Sequence, residues 1–390
     1  MLAVPLNAAD CVVQDLATLV QTATDKAGCP NASSIAQGVP LYASAALRAR
    51  LAQDDAEGNF RRALMAEWAQ VWSDGPGILV LKAVYDDAAL VDAVSAEFRL
   101  MITEARASGP AADHFAKPGA NDRVWNALEK LCLRAPELFI AYYGDDLIAT
   151  ACEAWLGPGY QVTAQVNCVN PGGAAQMAHR DYHLGCMSPG QAERYPRHVH
   201  RLSQALTLQG AVAHVDMPLE SGPTLYLPHS QKYAGGYLVA GRADFQAYFD
   251  AHLVQLPLQK GDAVFFNPAL MHAAGHNRTT DVYRMANLLQ VSCAFGRAME
   301  AVDRLRMASA LYPVLQRMRQ QGHITEQQLV CAAAASAEAY AFPTNLDLDP
   351  PIGGLAPESQ QAMMLRALNE GWSAQQFIEA AQSQAARKIA

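Results

Sequence analysis

The 390-residue chain carries little charge, and no part of it gathers charge of one sign. Charged residues make up 17% of the sequence, and 29 Lys and Arg against 37 Asp and Glu give a formal net charge of −8. Proteins that follow a nucleic acid backbone usually gather Lys and Arg into a patch or a run, and no such run occurs along this sequence. The sequence therefore argues against nucleic acid as a partner.

Long apolar runs and paired cysteines are also missing. No stretch of about 18 apolar residues occurs, and the first 20 residues have no positively charged start, so we expect neither a membrane span nor a secretory leader. The eight cysteines are scattered without a Cys-x-x-Cys pair, which argues against a zinc ribbon and a disulfide framework. We expect a cytoplasmic protein whose cysteines are small buried side chains.

What the chain has is apolar sequence for a large core, since 51% of its residues are hydrophobic. Three stretches differ in pattern. Residues 1–75 show apolar side chains at helical spacing and predict a helical N-terminal extension, whereas 76–300 form the core domain. Residues 301–390 return to the helical period, with capping boxes opening at Thr325 and Ser373, and predict a helical C-terminal extension packed on the core.

The core domain follows the period of β-strands. Residues 160–168 alternate apolar and polar side chains, as in a strand with two differently solvated faces. Further short runs at 205–215, 224–227, 263–266 and 282–293 are separated by Gly, Pro, Asn and Asp, with no convincing helical pattern between them. This spacing favours an antiparallel sandwich or barrel over a parallel sheet, and a jelly-roll-like barrel is the leading interpretation. The predicted class is a mainly β core with flanking helices (α+β).

A His-x-Asp pair at His179 and Asp181 is the first candidate for chemistry. On a strand, residues two apart point to one face with Cα atoms roughly 6.5 Å apart, so both side chains can reach one cation. Such pairs also occur by chance, and His214 with Asp216 repeats the spacing. A further histidine, His272, lies downstream. Two histidines and one carboxylate leave coordination sites open, as in non-haem Fe(II) oxygenases.

An arginine follows the third histidine. A strand from residue 282 places Arg284 on the same face as Ala286 and Leu288, where a lone guanidinium needs an anion. The planar guanidinium fork matches a carboxylate in a way that lysine cannot, so Arg284 is suited to the distal carboxylate of a dicarboxylic cosubstrate.

Four segments in order carry a family resemblance. They are HRDYH at 179–183, ESGPTLYLPHS at 220–230, the Gly-Asp step at 261–262 and HxxGxN with a later arginine at 272–284. Together they resemble the phytanoyl-CoA dioxygenase family of Fe(II)/2-oxoglutarate-dependent oxygenases, over about residues 76–295. The resemblance implies a double-stranded β-helix, which is a cupin-like jelly-roll barrel, and it leaves both ends of the chain unexplained.

The resemblance also implies roles for residues. His179, Asp181 and His272 become the iron ligands and catalytic residues, and Arg284 becomes the anchor of 2-oxoglutarate. Ala274 departs from the small hydroxyl residue that the family often has two positions after the distal histidine, and the spacing from Asn277 to Arg284 is one residue longer than expected. Thr279 is the candidate to substitute for that hydroxyl, and Gln165 is also predicted to contact the cosubstrate.

The implied activity is dioxygenase oxidation, most simply hydroxylation, of a small organic substrate with O₂, releasing succinate and CO₂. An aspartate at 181 favours this over halogenation, because halogenases of this fold have a small residue there. A small substrate is expected because the sequence has no basic patch for the phosphates of an acyl-CoA. The predicted substrate contacts are His183, Asn167, Arg123 and Trp125. We expect no nucleic acid or membrane partner, and the sequence does not indicate an oligomeric state.

Other interpretations fit the same residues. A cupin-like metal-binding or sensing protein without oxygenase activity would use the same barrel, and a zinc-dependent hydrolase could use the same three ligands. The pair at His214 and Asp216 competes for the metal. His198 and His200 are interpreted as a solvated strand edge. His229 and His276 are interpreted as loop residues near the mouth of the site, where either could act as a gate, although a surface position without a role is favoured.

Overall fold

Two β-sheets form the centre of the fold in this computed structural model, which describes residues 6–107 and 119–389. An eight-stranded sheet has the order β1-β2-β3-β9-β6-β11-β5-β4, and a three-stranded sheet has the order β10-β7-β8. All pairs are antiparallel except β2 with β3. The strands are β1 Ser34–Ala36, β2 Val39–Ala43, β3 Ile78–Lys82, β4 Asn121–Val124, β5 Gln161–Val169, β6 Thr207–Ala213, β7 Leu225–Tyr226, β8 Val254–Gln255, β9 Ala263–Phe266, β10 His272–Ala273 and β11 Arg284–Ser292.

Helices surround the sheets and fill several of the connections. They are α1 Val13–Val20, α2 Ser44–Leu51, α3 Asn59–Ser73, α4 Ala88–Ala107, α5 Ala127–Arg134, α6 Pro136–Tyr143, α7 Asp146–Leu156, α8 Pro189–Ala192, α9 Arg197–Ala205, α10 Gly236–Val239, α11 Ala243–His252, α12 Arg304–Gln320, α13 Glu326–Ser336, α14 Gln360–Glu370 and α15 Ala374–Arg387. Within the described residues, no helix combines the length and the apolar character needed to cross a membrane.

The long strands β5 and β11 divide the protein into a helical side and an inner side. Their register places Met285 opposite Cys168 and Leu289 opposite Ala164, and these side chains join the large apolar core beneath the helices. A second apolar cluster, which includes Val264 and Tyr226, packs the small sheet against the large one. Two facing sheets with flanking helices confirm the predicted mainly β jelly-roll class.

The N-terminal stretch differs from the helical extension that was expected. It contains α1, α2 and α3, but β1 and β2 also belong to it, and β2 pairs in parallel with β3, with Leu41 opposite Val80. Residues 34–43 therefore continue the large sheet. A strand of three residues and one of five are too short for an alternation to be recognised from sequence.

The stretch between the strands also holds more helix than expected. His198 and His200 lie on α9, a helix rather than a strand edge, and His200 is buried. The two histidines are two residues apart, which is the spacing of a strand. The buried residues of the helix are His200 and Ser203, which are three apart, as expected for one face of a helix. Helix and strand periods cannot be separated over so few residues.

The C-terminal helices pack against one another and against the core. Tyr312 on α12 stacks on Phe377 of α15 with ring centroids 4.2 Å apart, and Leu311 and Leu315 are fully buried. Arg304 donates to the backbone oxygens of Val162 on β5 and Ala335 on α13. Both predicted capping boxes form, at the start of α13 and of α15. The extension therefore covers the helical side of the core.

Deletion of residues 301–390 is expected to give aggregated or poorly expressed protein. Each large apolar side chain that loses its cover forfeits roughly 1.5–3 kcal/mol of burial, and α12 alone buries several. Soluble yield and thermal unfolding measure the effect, with a chain truncated after Arg387 as the control. A soluble 1–300 fragment with an unchanged melting temperature would contradict the assignment.

Candidate metal centre

Backbone pairing brings two distant histidines together. The His179 amide donates to the His272 carbonyl at 2.9 Å, and the His272 amide donates to the His179 carbonyl at 3.1 Å. The Asp181 amide then donates to the carbonyl of Pro268 at 2.9 Å. This extended pairing points the side chains at 179 and 181 to the same side, as the sequence spacing predicted.

Three potential ligand atoms converge at this place. Nε2 of His272 lies 3.3 Å from one carboxylate oxygen of Asp181, and Nε2 of His179 lies 3.7 Å from the other. The two imidazole centroids are 4.5 Å apart, and all three ligand atoms lie within 4.8 Å of one another. Among the described residues, this is the only group of three His, Cys, Asp or Glu side chains that could hold a metal ion.

The hydrogen bonds of the two rings determine what the centre can bind. Nδ1 of His179 is 2.9 Å from the carbonyl of Met177, and Nδ1 of His272 is 2.8 Å from the carbonyl of Leu270. Because a carbonyl only accepts, each Nδ1 carries the hydrogen and each Nε2 presents a lone pair. Two lone pairs and a carboxylate facing one another repel unless a cation lies between them. This donor set of two nitrogens and one oxygen suits a divalent transition metal.

Asp181 is held in its charged form. Burial raises its pKa, but the neighbouring imidazoles of His272 and His179 and a hydrogen bond from Gln209 outweigh burial and lower the pKa to about 2. Nε2 of Gln209, on β6, donates to the carboxylate at 2.6 Å. Burial and the neighbouring His272 lower the pKa of His179. A carboxylate and neutral imidazoles are the forms that coordinate metal. Gln209 was not identified from the sequence.

The chain turns sharply after the carboxylate. Tyr182 and His183 have positive φ values of 56° and 50°, so the extended segment ends at Asp181. His183 therefore leaves the ligand face that a continuing strand would have given it, and its Nε2 lies 3.1 Å from the Thr207 hydroxyl. The predicted substrate contact at His183 is placed beside β6 instead.

Arg284 is buried at the start of β11 without a carboxylate. One guanidinium nitrogen donates to the carbonyl oxygens of Ser221, at 3.2 Å, and Gly275, at 3.4 Å, and among the described residues no carboxylate forms an ion pair with it. Burial lowers its pKa to about 10, partly offset by Tyr226 and Cys168. A guanidinium that is charged at neutral pH and removed from water is stabilised by an anion that pairs with it.

Tyr226 links the arginine to the metal centre. It pairs with His272 across β7 and β10, so the two side chains lie on one face, and its ring is 5.1 Å from that of Phe266. Phe266 in turn lies 4.8 Å from the His272 ring. Tyr226 belongs to the segment 220–230 that carries part of the family resemblance, but the sequence alone did not indicate a role for it. Tyr226 is thus connected to His272 through Phe266, and it also acts electrostatically on Arg284, whose pKa it raises.

The inner face of the large sheet is polar. Gln165 accepts from Arg123 at 2.8 Å and donates to Gln290 at 3.1 Å, which joins β4, β5 and β11. Asn167 is the register partner of Arg123, and its side-chain oxygen is buried without a hydrogen-bond partner, as is that of Gln209. The face that holds these two unpaired acceptors therefore carries three of the residues predicted from the sequence, Gln165, Asn167 and Arg123.

Two further predicted residues lie nearby. The guanidinium of Arg123 is 5.2 Å from the ring of the half-buried Trp125. The Thr279 hydroxyl donates to the side-chain oxygen of Asn277 at 2.6 Å, and Asn277 donates to three backbone carbonyls around the loop. Thr279 thus stabilises the connection between β10 and β11, whereas the sequence had suggested a contact with the cosubstrate.

The competing His-x-Asp pair does not assemble a similar centre. Nδ1 of His214 lies 2.8 Å from the Ser95 hydroxyl, and its Nε2 lies 2.9 Å from the Tyr142 hydroxyl. Burial lowers the pKa of His214 to about 3. Asp216 accepts from the Lys260 amide. Both ring nitrogens of His214 are therefore occupied on the helical side of the sheet.

The other histidine candidates are also accounted for. His229 is buried between the Thr24 hydroxyl and the amine of Lys232, so it is not a surface loop residue. His200 hydrogen-bonds to the carbonyl of Ala192 through Nε2. His276 is exposed.

Comparison with solved structures finds distant similarities. The non-heme alpha ketoglutarate dependent epimerase SnoN from nogalamycin biosynthesis is 20% identical, with 60% of this chain and 84% of that chain covered and a TM-score of 0.41. HygX from Streptomyces hygroscopicus, solved with nickel, 2-oxoglutarate and hygromycin B, is 16% identical, with 58% and 87% covered and a TM-score of 0.42. EctD from S. alaskensis, solved with 2-oxoglutarate and 5-hydroxyectoine, is 16% identical, with 60% and 77% covered and a TM-score of 0.43.

Sequence comparison gives the family. Dioxygenase trt7 of Aspergillus terreus (strain NIH 2624 / FGSC A1156) is 28% identical over 161 residues, which are 41% of this chain and 46% of that protein, so the match spans less than half of the relative. The family model of phytanoyl-CoA dioxygenase (PhyH) matches residues 73–286, which is more than half of the chain and includes the triad and Arg284. The chain belongs to the phytanoyl-CoA dioxygenase family.

Proposed function

We propose that the chain is an Fe(II)/2-oxoglutarate-dependent dioxygenase that oxidises a small organic molecule. The observation that carries the proposal is the convergence of the Asp181 carboxylate with the Nε2 atoms of His179 and His272, whose rings donate their hydrogens from Nδ1 to backbone carbonyls. His179, Asp181 and His272 would hold the iron as two nitrogens and one carboxylate on one side, which leaves coordination sites for a bidentate cosubstrate and O₂. Family membership supports the same activity.

Bound Fe(II) supplies the redox chemistry by which O₂ oxidises the substrate while 2-oxoglutarate is converted to succinate and CO₂. The protein holds the metal ligands in position. Asp181 is kept charged, and its direction is fixed by the amide of Gln209. The carbonyls of Met177 and Leu270 fix the two imidazole rings. Such outer partners orient the ligands and increase their basicity.

Arg284 is the proposed anchor for the far carboxylate of 2-oxoglutarate. Its guanidinium is 6% exposed and pairs only with neutral carbonyl oxygens among the described residues. A carboxylate would complete its hydrogen bonds through the planar fork, and the keto acid end would then extend past Tyr226 toward the triad. Thus the arginine would bind the cosubstrate and orient it without touching the metal.

The polar inner face favours a substrate that donates hydrogen bonds. The orphaned side-chain oxygens of Asn167 and Gln209 can each accept from a hydroxyl or an amide. Arg123, bonded to Gln165 on the same face, and the neighbouring Trp125 are candidate contacts of this substrate. His183, beside Thr207 of β6, is a further candidate. We propose hydroxylation of such a polar small molecule. An aspartate at 181 fills the position that a halide takes in halogenases, which argues against halogenation.

A zinc-dependent hydrolase and a metal sensor would use the same three ligands. A hydrolase that binds no anionic cosubstrate would leave Arg284 buried without an anion, which is energetically costly. Consumption of 2-oxoglutarate separates both alternatives from the dioxygenase, because neither produces succinate.

The variants His179→Ala and His272→Ala are each expected to abolish tight Fe(II) binding and 2-oxoglutarate decarboxylation. Each removes one of three ligands, whereas His214→Gln should keep both properties because His214 bonds only to hydroxyls on the other side of the sheet. Iron content after anaerobic loading and succinate formation are the readouts, and the exposed His198→Ala serves as a surface control. Loss of iron in His214→Gln with retention in His179→Ala would move the site to the second pair.

The variant Arg284→Gln is expected to weaken 2-oxoglutarate binding by about ten- to a few hundred-fold, because a charge-assisted hydrogen bond is worth roughly 1.5–3 kcal/mol. Arg284→Lys should recover only part of the loss, since an ammonium lacks the bidentate fork. Anaerobic calorimetric titration of the Fe(II)-loaded protein gives the affinity, and iron content should stay the same.

The nearby exposed Arg278→Gln is the matched control for this titration, and it should leave the affinity within about twofold of the wild type. Equal affinities for the wild type and Arg284→Gln would contradict the assignment. In that case a loss in Arg278→Gln would transfer the role to Arg278.

A further inference from the structure

A cavity of about 400 Å³ is lined by Arg180, whose side chain points away from those of His179 and Asp181. We call it the basic cavity. Its charged lining consists of Arg180, Arg197, Arg201 and Lys232, with Asp74 as the one carboxylate among its lining residues. Three guanidinium groups and one ammonium against one carboxylate give the cavity a strong positive potential.

Arg180 forms the buried wall of the basic cavity. In the extended segment 179–181 its side chain points away from its two neighbours, and it is 3% exposed. One guanidinium nitrogen donates to the carbonyl of Ser230, but Nε has no hydrogen-bond partner. No carboxylate in the described chain pairs with Arg180. A buried guanidinium in this state needs an anion.

The packing around Arg180 leaves space for its guanidinium. A Cβ on Gly236 would lie 1.8 Å from Cζ of Arg180, so any side chain at this position would displace the arginine. The ring of Tyr237 lies 5.3 Å from the same carbon on the other side. The arginine is therefore held in place by a glycine and an aromatic ring, neither of which neutralises its charge.

Helix α9 adds two more cations to the cavity. Arg197 and Arg201 are four residues apart, so they lie on one face of the helix, and within the described residues neither has a hydrogen bond or an ion pair through its side chain. Like charges at this spacing repel. His200 lies on the same face, and its Nδ1 is buried without a partner. The helix thus adds two exposed arginines, without side-chain partners among the described residues, to the lining of the cavity that contains Arg180.

The opposite rim carries Lys232. Its amine donates to the carbonyl of Asp74 at 3.1 Å and lies 2.9 Å from Nδ1 of His229. The carboxylate of Asp74 is itself bonded to the Ser73 hydroxyl at 2.9 Å and forms no ion pair with the arginines. The positive groups of the basic cavity are therefore not neutralised from within the described chain.

We propose that the basic cavity binds a phosphate group. A phosphate dianion offers several acceptor oxygens, and guanidinium groups bind them through paired hydrogen bonds. Arg180 would contact the phosphate from the buried wall, and Arg197 and Arg201 would close over it from α9. The proposal does not depend on the iron or on 2-oxoglutarate, because Arg284 and the triad lie outside the lining of the cavity.

Titration of inorganic phosphate into the full chain, followed by calorimetry without added metal and at constant ionic strength, tests the proposal. The double variant Arg197→Ala with Arg201→Ala is expected to weaken phosphate binding at least tenfold, because both cations leave the cavity. The exposed Arg194→Ala, which lies just before α9 and outside the cavity lining, should stay within twofold of the wild type. Arg180→Gln should abolish binding, and its melting temperature shows whether the fold survives.

Absence of phosphate binding by the wild type would overturn the proposal, and so would equal affinities for the wild type and the Arg197/Arg201 variant. Phenyl phosphate distinguishes the source of the group. Tighter binding of this monoester than of inorganic phosphate would identify a phosphorylated organic ligand, whereas equal affinities would identify free phosphate. Saturating 2-oxoglutarate should not displace the phosphate, and a tenfold loss of affinity in its presence would reassign the cavity to carboxylates and contradict the proposal.

Discussion

The mutual approach of three hydrogen-bond acceptors, at His179, Asp181 and His272, is the constraint on which the centre of this protein depends. The backbone pairing between residues 179 and 272 forces the approach, and the carbonyls that occupy each Nδ1 prevent the rings from relieving it by a change of tautomer. Only a cation between the three atoms turns this repulsion into attraction. The fold therefore builds a centre that is stable when it holds a metal.

The remaining architecture follows from the two faces of the large sheet. The outer face is apolar, and the helices, including the C-terminal ones, cover it. The inner face carries amides, an arginine at the start of β11 and orphaned acceptors. His214 illustrates the division, because it follows β6 but points into the helical side, where Ser95 and Tyr142 bind both of its nitrogens. Identical spacing in sequence thus gave a candidate metal centre in one place and a structural histidine in the other.

Sequence reasoning succeeded where local pattern determines structure. The alternation at 160–168 predicted β5, capping boxes predicted α13 and α15, and the His-x-Asp spacing with a later histidine predicted the triad. It failed where distant contacts decide. The turn at Tyr182 that removes His183 from the ligand face has no signature in the residues around it, and the support that Gln209 gives to Asp181 depends on strand pairing. The basic cavity could not be predicted from the sequence either, because its cations come from separate segments and do not form a basic run.

Anaerobic addition of Fe(II) and then 2-oxoglutarate to the metal-free protein, followed by visible absorption, tests the central claim most directly. The account predicts one iron per chain and a metal-to-ligand charge-transfer band that appears only when both are present and saturates at one equivalent of 2-oxoglutarate. Iron that fails to bind, or that binds without any band when 2-oxoglutarate is saturating, would contradict the account.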